Sequence, residues 1–230
     1  MNTAAVDQRW KDLYRIAGIA AIISVAVIIL GFVTYFIWPF TPGVETTENI
    51  LRFLQSNRLG GLISLDLFLF IGNLFSIALF LALYVSLKPV NESYALIALA
   101  VGLIGVVLLI PSRPISELFT LSRYYSTAET EAAKSQYLAA GEALLTLFNG
   151  TNWFMNTLLG GISLLIFSIL MLRSKIYSKA TAYVGILTNA VVCGFFIPGI
   201  GVFLLFLSLL GYVTWYFLLA RRFFQMARSY

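Results

Sequence analysis

The chain has 230 residues, 60% apolar and only 11% charged, with a mean hydropathy of +0.91; soluble domains carry charge on about a quarter of their residues. This composition excludes a soluble globular protein and implies a polytopic membrane protein whose first partner is the lipid bilayer. The absence of histidine and the single cysteine exclude bis-histidine haem, histidine-ligated metal, a Ser-His dyad and a C-x-x-C redox pair.

Crossing a hydrocarbon layer ~30 Å thick takes roughly 20 apolar residues, and six runs qualify. The first, 17–38, follows the basic residues Arg9, Lys11 and Arg15. Its apolar core exceeds that of a cleaved signal peptide, and no A-x-A site follows it. An outer loop, 39–60, reads as a turn at Pro39, Pro42 and Gly43 and then a short helix from about Glu48 to Ser56. The second span, 61–87, and the third, 93–110, are joined by a short inner loop. Pro111 and Pro114 end the third span and open the longest loop, 111–150. There Ser126-Thr127-Ala128-Glu129 has the form of a capping box, which predicts a helix from near Thr127 towards Phe148. Its Ala-rich face (Ala128, Ala132, Ala133, Ala139, Ala140) predicts close packing above the membrane, with a loosely attached, solvent-exposed helix as the alternative.

Asn149-Gly150 is expected to break that helix, with Thr151 or Asn152 capping the fourth span, 151–172. A short inner loop leads to the fifth span, 180–196. Pro198 and Gly199 leave almost no loop before the sixth, 201–220, so the fifth is either a broken span or one arm of a tight helical hairpin. The fold class is therefore all-α: an integral membrane six-helix bundle, a single transmembrane domain over 1–230, with a small helical cap formed by the two long outer loops. Short inner loops make their flanking spans antiparallel neighbours. Small-residue pairs at Ala20/Ser24, Ala98/Gly102 and Ala190/Gly194 allow close helix approach. No internal repeat is found, so an inverted-repeat transporter architecture has no support.

The net charge of +5 reports topology. If both termini lie inside, the inner segments hold Arg9, Lys11, Arg15, Lys88, Arg173, Lys175, Lys179, Arg221, Arg222 and Arg228 against only Asp7, Asp12 and Glu92. The outer segments hold Arg52, Arg58, Arg113, Arg123 and Lys134 against Glu45, Glu48, Glu117, Glu129, Glu131 and Glu142. This is the positive-inside distribution, and it removes nucleic acid as a partner. Trp38 and Tyr35 at the outer end of the first span, Trp153 at that of the fourth, and Tyr84, Tyr94 and Tyr183 near the inner face fit aromatic belts. Cys193, within the fifth span, reads as a small apolar core residue.

Asp66 is the only ionisable residue inside an otherwise apolar span, and at membrane depth such a group needs a partner. The turn between the second and third spans centres near Val90. Asp66 lies 24 residues before it and Arg113 lies 23 after it. In an antiparallel hairpin with a rise of ~1.5 Å per residue the two sit at nearly equal height, towards the outer surface. Asn73, seven residues beyond Asp66, falls on a similar face, and Glu142 and Asn152 lie near the same outer level. One reading is a structural ion pair that locks the hairpin, with asparagines bonding between helices. The other is an outward-open polar cavity lined by Asp66, Asn73, Arg113, Glu142 and Asn152 that binds a small solute or a lipid headgroup. Asn189 and Thr188 in the fifth span read as interhelical ties.

The start Arg15-Ile16-Ala17-Gly18, the segments 80–88 (FLALYVSLK) and 95–100 (ALIALA), the run 171–185, and Trp215 with Arg221-Arg222 resemble a family of small prokaryotic multi-pass membrane proteins catalogued as a domain of unknown function. The inner loop Lys175-Ile176-Tyr177-Ser178 departs from it, since the family often has a proline there. The resemblance implies a six-helix protein of the bacterial or archaeal cytoplasmic membrane and lends no site residues. The expected function is non-enzymatic, without cofactor or metal: binding or transport of a small-molecule or lipidic ligand from the outer side. The alternatives are a structural or accessory subunit that meets a membrane-protein partner through the cap, and an embedded carboxylate enzyme. The charge distribution predicts that a fluorescent protein fused after Tyr230 folds in the cytoplasm and fluoresces. Alkaline phosphatase inserted near Ala128 should be active, and at Tyr230 inactive. The reverse pattern would invert the assigned topology.

Overall fold

Backbone polar groups find no water in a bilayer core, so a spanning segment must satisfy them internally as a helix. The computed structural model describes residues 8–37 and 45–228, apart from the side chains of Gln8, Tyr35, Phe36 and Val202. The expected turn at Pro39, Pro42 and Gly43, and the placing of Trp38 and the Tyr35 ring, lie outside the described residues. The long elements are the helices α1 (Lys11–Ile37), α2 (Thr47–Ser56), α3 (Arg58–Ser64), α4 (Leu67–Leu87) and α5 (Glu92–Leu109). They continue with α6 (Ile115–Thr127), α7 (Glu131–Leu145), α8 (Thr151–Arg173), α9 (Lys179–Cys193) and α10 (Gly201–Arg228). Six helices among the described residues are long and apolar enough to cross a membrane, and the protein is a multi-pass, all-α helical bundle.

The spanning helices close a ring. α1 packs on α4, α4 on α5, α5 on α8, α8 on α9, α9 on α10, and α10 back on α1. Lipid tails are as apolar as leucine, so these seams depend on close packing by small residues. At Gly105 in α5, an added Cβ would sit 3.4 Å from the backbone of Asn156 and Gly160 in α8. The Ala98/Gly102 pair lies on the same seam, where Ser163 donates to the Ala98 carbonyl at 2.6 Å. Ser24 instead donates to Ala20 of its own helix. Ala190 is exposed and Gly194 faces Leu204 of α10, so that pair does not make one seam. The outside of the ring carries exposed apolar side chains such as Leu187, Phe203, Leu210 and Phe217, as a lipid-facing surface requires.

Two cores form at opposite ends. The ends of the helices nearest the termini are filled by a cluster that includes Tyr14, Leu83, Phe167, Met171, Tyr177, Trp215 and Phe223. The cap is built from α2, α3, α6 and α7 and has its own core of Ile50, Leu51, Leu54, Leu118, Tyr125, Leu145 and Phe148. Within it, the Tyr125 hydroxyl donates to Glu48 at 2.8 Å and Arg52 donates to the same oxygen at 2.6 Å. These two donors, Tyr125 first, hold the half-buried Glu48 carboxyl below the usual carboxylate range. α7 packs on α2 and α6 through its buried Gly141 and Leu145, whereas Ala132, Ala139 and Ala140 are exposed, so the expected close packing of the Ala-rich face does not form.

Three further expectations need correction. The run 61–87 is not one helix, because Asp66 adopts the left-handed conformation (φ 62°, ψ 32°) and divides it into α3 and α4. Aspartate tolerates this region better than other non-glycine residues. The capping box at Ser126 and Glu129 does not form. Ser126 and Thr127 donate back to Arg123 in the last turn of α6, and Thr130 caps α7 by accepting from Ala133. Neither Thr151 nor Asn152 caps α8, whose N-cap is Gly150 without a side-chain bond. The fifth and sixth spans form the tight hairpin: α9 ends in a 3-10 turn, Gly194–Phe196, and Gly199 takes a φ of 85° before α10.

Where α9 meets α8 and α10, a Cβ on Gly185 would overlap the Ser168 hydroxyl and the Trp215 indole, whose N–H donates to the Thr181 carbonyl at 3.0 Å. Gly185→Val should therefore destabilise the protein by about 1–3 kcal/mol through overpacking. A thermal-unfolding series in detergent checks this, with Gly160→Val, where a Cβ meets nothing within 4 Å, as the tolerated control.

Candidate ligand-binding site

The backbone is interrupted where α3 meets α4, where α5 meets α6 through the 3-10 turn Ile110–Ser112, and where α7 meets α8 through the 3-10 turn Thr146–Asn149. Pro111 and Pro114 lack N–H groups and stop α5 from continuing. Arg113 lies in the second interruption with only 2% of its side chain exposed, and its Nη2 meets Asp66 at 2.9 Å across the first. Its Nη1 donates to the carbonyl of Ser112 and, across the third interruption, to the carbonyl of Phe148, both at 3.0 Å. The guanidinium also lies 4.8 Å from the centre of the Phe148 ring and 5.9 Å from that of Trp153. The expected Asp66–Arg113 pair therefore forms, although Asp66 keeps 43% of its side chain open.

Below this junction, two asparagines tie three helices. The last turn of α5 tightens so that the Ile110 N–H bonds Val107, and the Val106 carbonyl accepts from Asn73 of α4 at 2.9 Å. Asn156 of α8 donates to Asn73 Oδ1 at 3.1 Å and to the Gly105 carbonyl at 2.9 Å. These bonds satisfy amides that would otherwise be costly in a membrane-depth site.

The asparagines border a cavity of about 220 Å³ at the centre of the ring. All six spanning helices contribute to its wall: Ser24 and Val27 (α1), Gly72, Asn73 and Ser76 (α4), Gly102 and Val106 (α5), Asn156, Thr157 and Gly160 (α8), Val192 (α9), and Ser208, Tyr212 and Tyr216 (α10). Its polar groups are neutral, and most of its wall is apolar. It lies against the core nearest the termini, whose Phe80 and Leu164 border it.

The five residues singled out in the sequence do not line this one space. Asn73 lines the cavity, whereas Asp66 and Arg113 form the junction above it. Glu142 is exposed on α7 and Asn152 is half-buried in the first turn of α8; neither borders the cavity. The sequence reading missed Asn156, Tyr212 and Tyr216. Asn156 carried the same signal as Asn73, an amide within an apolar run. Asn189 does tie helices, since the Tyr212 hydroxyl donates to it at 2.8 Å.

Residues 16–221 match the family model for a domain of unknown function, DUF4386. No curated protein and no solved structure gives a significant match.

Removing one member of a buried charge pair leaves the other's desolvation uncompensated. Asp66→Asn keeps a residue suited to the left-handed backbone but removes the countercharge to Arg113, and should cost about 1–3 kcal/mol. In thermal unfolding, Arg113→Leu should be destabilising too, and the Asp66→Asn/Arg113→Leu double variant less so than the two single losses added together. Strict additivity would show that the pair is not coupled.

Proposed function

The chain belongs to the DUF4386 family, and from the geometry of its cavity we propose that it binds a small or lipidic ligand within the membrane, or moves it across, without chemistry on that ligand. The observation that carries this reading is the central cavity, bordered by every spanning helix and holding an ordered asparagine pair at its wall. A bundle packed only for stability has no need of such a void, because each unfilled volume forfeits contacts between its walls. The core nearest the termini abuts the cavity through Phe80 and Leu164, which favours a binding pocket over a continuous pore. Among the described residues no carboxylate borders it, which supports binding over carboxylate chemistry in this space.

In this proposal the cavity is reached from the outer side. The cap end carries the balanced outer charges and the opposite end carries the basic inner ones, and family resemblance favours a prokaryotic cytoplasmic membrane. The accessory-subunit alternative would be favoured by a continuous apolar patch on the cap. Among the described residues, the large apolar side chains exposed on the cap and its junction turns are few and separate in the chain, namely Leu59, Ile110, Tyr124 and Leu147.

Gly160 gives a direct test, because it borders the cavity and a Cβ added to it meets nothing within 4 Å. Gly160→Leu should fill the space while leaving thermal stability unchanged or raising it, since glycine within a helix costs about 1 kcal/mol relative to alanine. Mass spectrometry of extracts should find a compound enriched with the purified wild type and absent from Gly160→Leu. Identical extracts from the two folded proteins would count against the binding reading.

A further inference from the structure

The hydrogen-bonding capacity of the cavity wall restricts what fits it, given the binding reading above, on which this step rests. Most of the polar groups there are already committed. Ser24, Ser76, Thr157 and Ser208 each donate to a carbonyl of their own helix. Tyr212 donates to Asn189, and Asn73 both donates to Val106 and accepts from Asn156.

Two groups remain open. Asn156 uses its amide nitrogen twice, and its Oδ1 accepts no hydrogen bond among the described residues. The Tyr216 hydroxyl, on the α10 wall of the cavity, likewise has no hydrogen-bond partner among them; its ring stacks on Tyr212 with centroids 5.5 Å apart. An acceptor on α8 and a hydroxyl on α10 therefore border one apolar space. Among the described residues no Asp, Glu, Lys or Arg borders it, so an ionised headgroup would be desolvated there without a countercharge. A bare hydrocarbon would leave both open groups unsatisfied.

Size sets a further limit. An apolar cavity of about 150 Å³ admits benzene, so about 220 Å³ holds one ring with a short substituent, or a comparable length of chain. We infer that the ligand is an uncharged amphiphile: a compact hydrocarbon body bearing one neutral hydroxyl, which either donates to Asn156 at one end of the space or accepts from Tyr216 at the other, as in a neutral alcohol or phenol.

The test uses the full chain in phosphatidylcholine nanodiscs and three medium-chain diazirine probes with the same body: an alcohol, an ionised carboxylate and a plain alkane. Mass spectrometry locates the photo-adducts. The alcohol should label the α8 and α10 walls saturably, at least tenfold more strongly than the carboxylate and several-fold more than the alkane. Either Tyr216→Phe or Asn156→Ser should lower alcohol labelling several-fold and leave alkane labelling unchanged, a difference that a misfolded protein would not give; no loss in either variant overturns the assigned ligand class. Carboxylate labelling equal to that of the alcohol, or alkane labelling equal to it, overturns the assigned ligand class while leaving binding intact. Absence of saturable labelling by all three probes overturns the binding reading itself, and the ligand class with it.

Discussion

Three of the six spanning helices reach the cap through broken backbone, at Asp66, at Ile110–Ser112 and at Thr146–Asn149, and one guanidinium is bonded at all three. Arg113 takes the Asp66 carboxylate from the first break, the Ser112 carbonyl from its own and the Phe148 carbonyl from the third. An arginine at membrane depth costs a few kcal/mol on insertion scales. Hydrogen bonds to a charged group return about 1.5–3 kcal/mol each, so this set offsets the cost only when the carboxylate and both carbonyls are present together. Such a pair is weak evidence for net stability and better evidence for a fixed arrangement of the segments that meet there. A planar donor with several N–H groups suits the task, whereas a lysine would present one flexible point charge.

That junction lets the two ends of the molecule pack independently. The cap holds its own core, with Ser122 donating to the Leu51 carbonyl and Tyr125 to Glu48, while the termini end is sealed around Phe167, Trp215 and Phe223. Between them the helices must stay in register without a filled centre. Contacts around the ring do this, through close seams such as α5 on α8 at Gly105 and the Asn73–Asn156 tie. The central cavity thus follows from how the bundle is supported: its walls are held from above, from below and from the sides.

Much of this was legible in the sequence, and the reasons are specific. The six apolar runs follow from span length alone, and the Asp66–Arg113 pair follows from counting along a hairpin, because helical rise is nearly constant. The break at Asp66 was not legible by the same reasoning, since a strong apolar run conceals one residue with positive φ. Its isolated charge was the only sign. Ser126 and Glu129 matched a capping pattern, but the competing Thr130 cap and the hydroxyl bonds back to Arg123 decided where α6 ended. Equal height did not imply a shared site. Glu142 and Asn152 lie near the level of the cap junction, but azimuth decides what a side chain faces, and one sequence does not give it. Asn156 and Tyr216 were missed because an amide and a phenol in a membrane helix look alike whether they tie helices or face a void.

The cavity and the ion pair therefore answer different physical demands, although the sequence invited one account of both. A charge pair at the cap junction fixes geometry where the backbone is broken, and it excludes itself from the apolar space below by being consumed in that role. The neutral wall beneath it carries hydrogen-bonding capacity beyond what the helices use. If charge had lined the cavity, solvation of that charge would have dominated its chemistry. With neutral groups alone, shape and two open hydrogen-bonding positions are what would discriminate among ligands under the proposed binding role. Because α4 and α8 begin at the junction and carry Asn73 and Asn156 about two turns and one turn below it, the segments that Arg113 fixes are the ones that place the amides of the cavity wall.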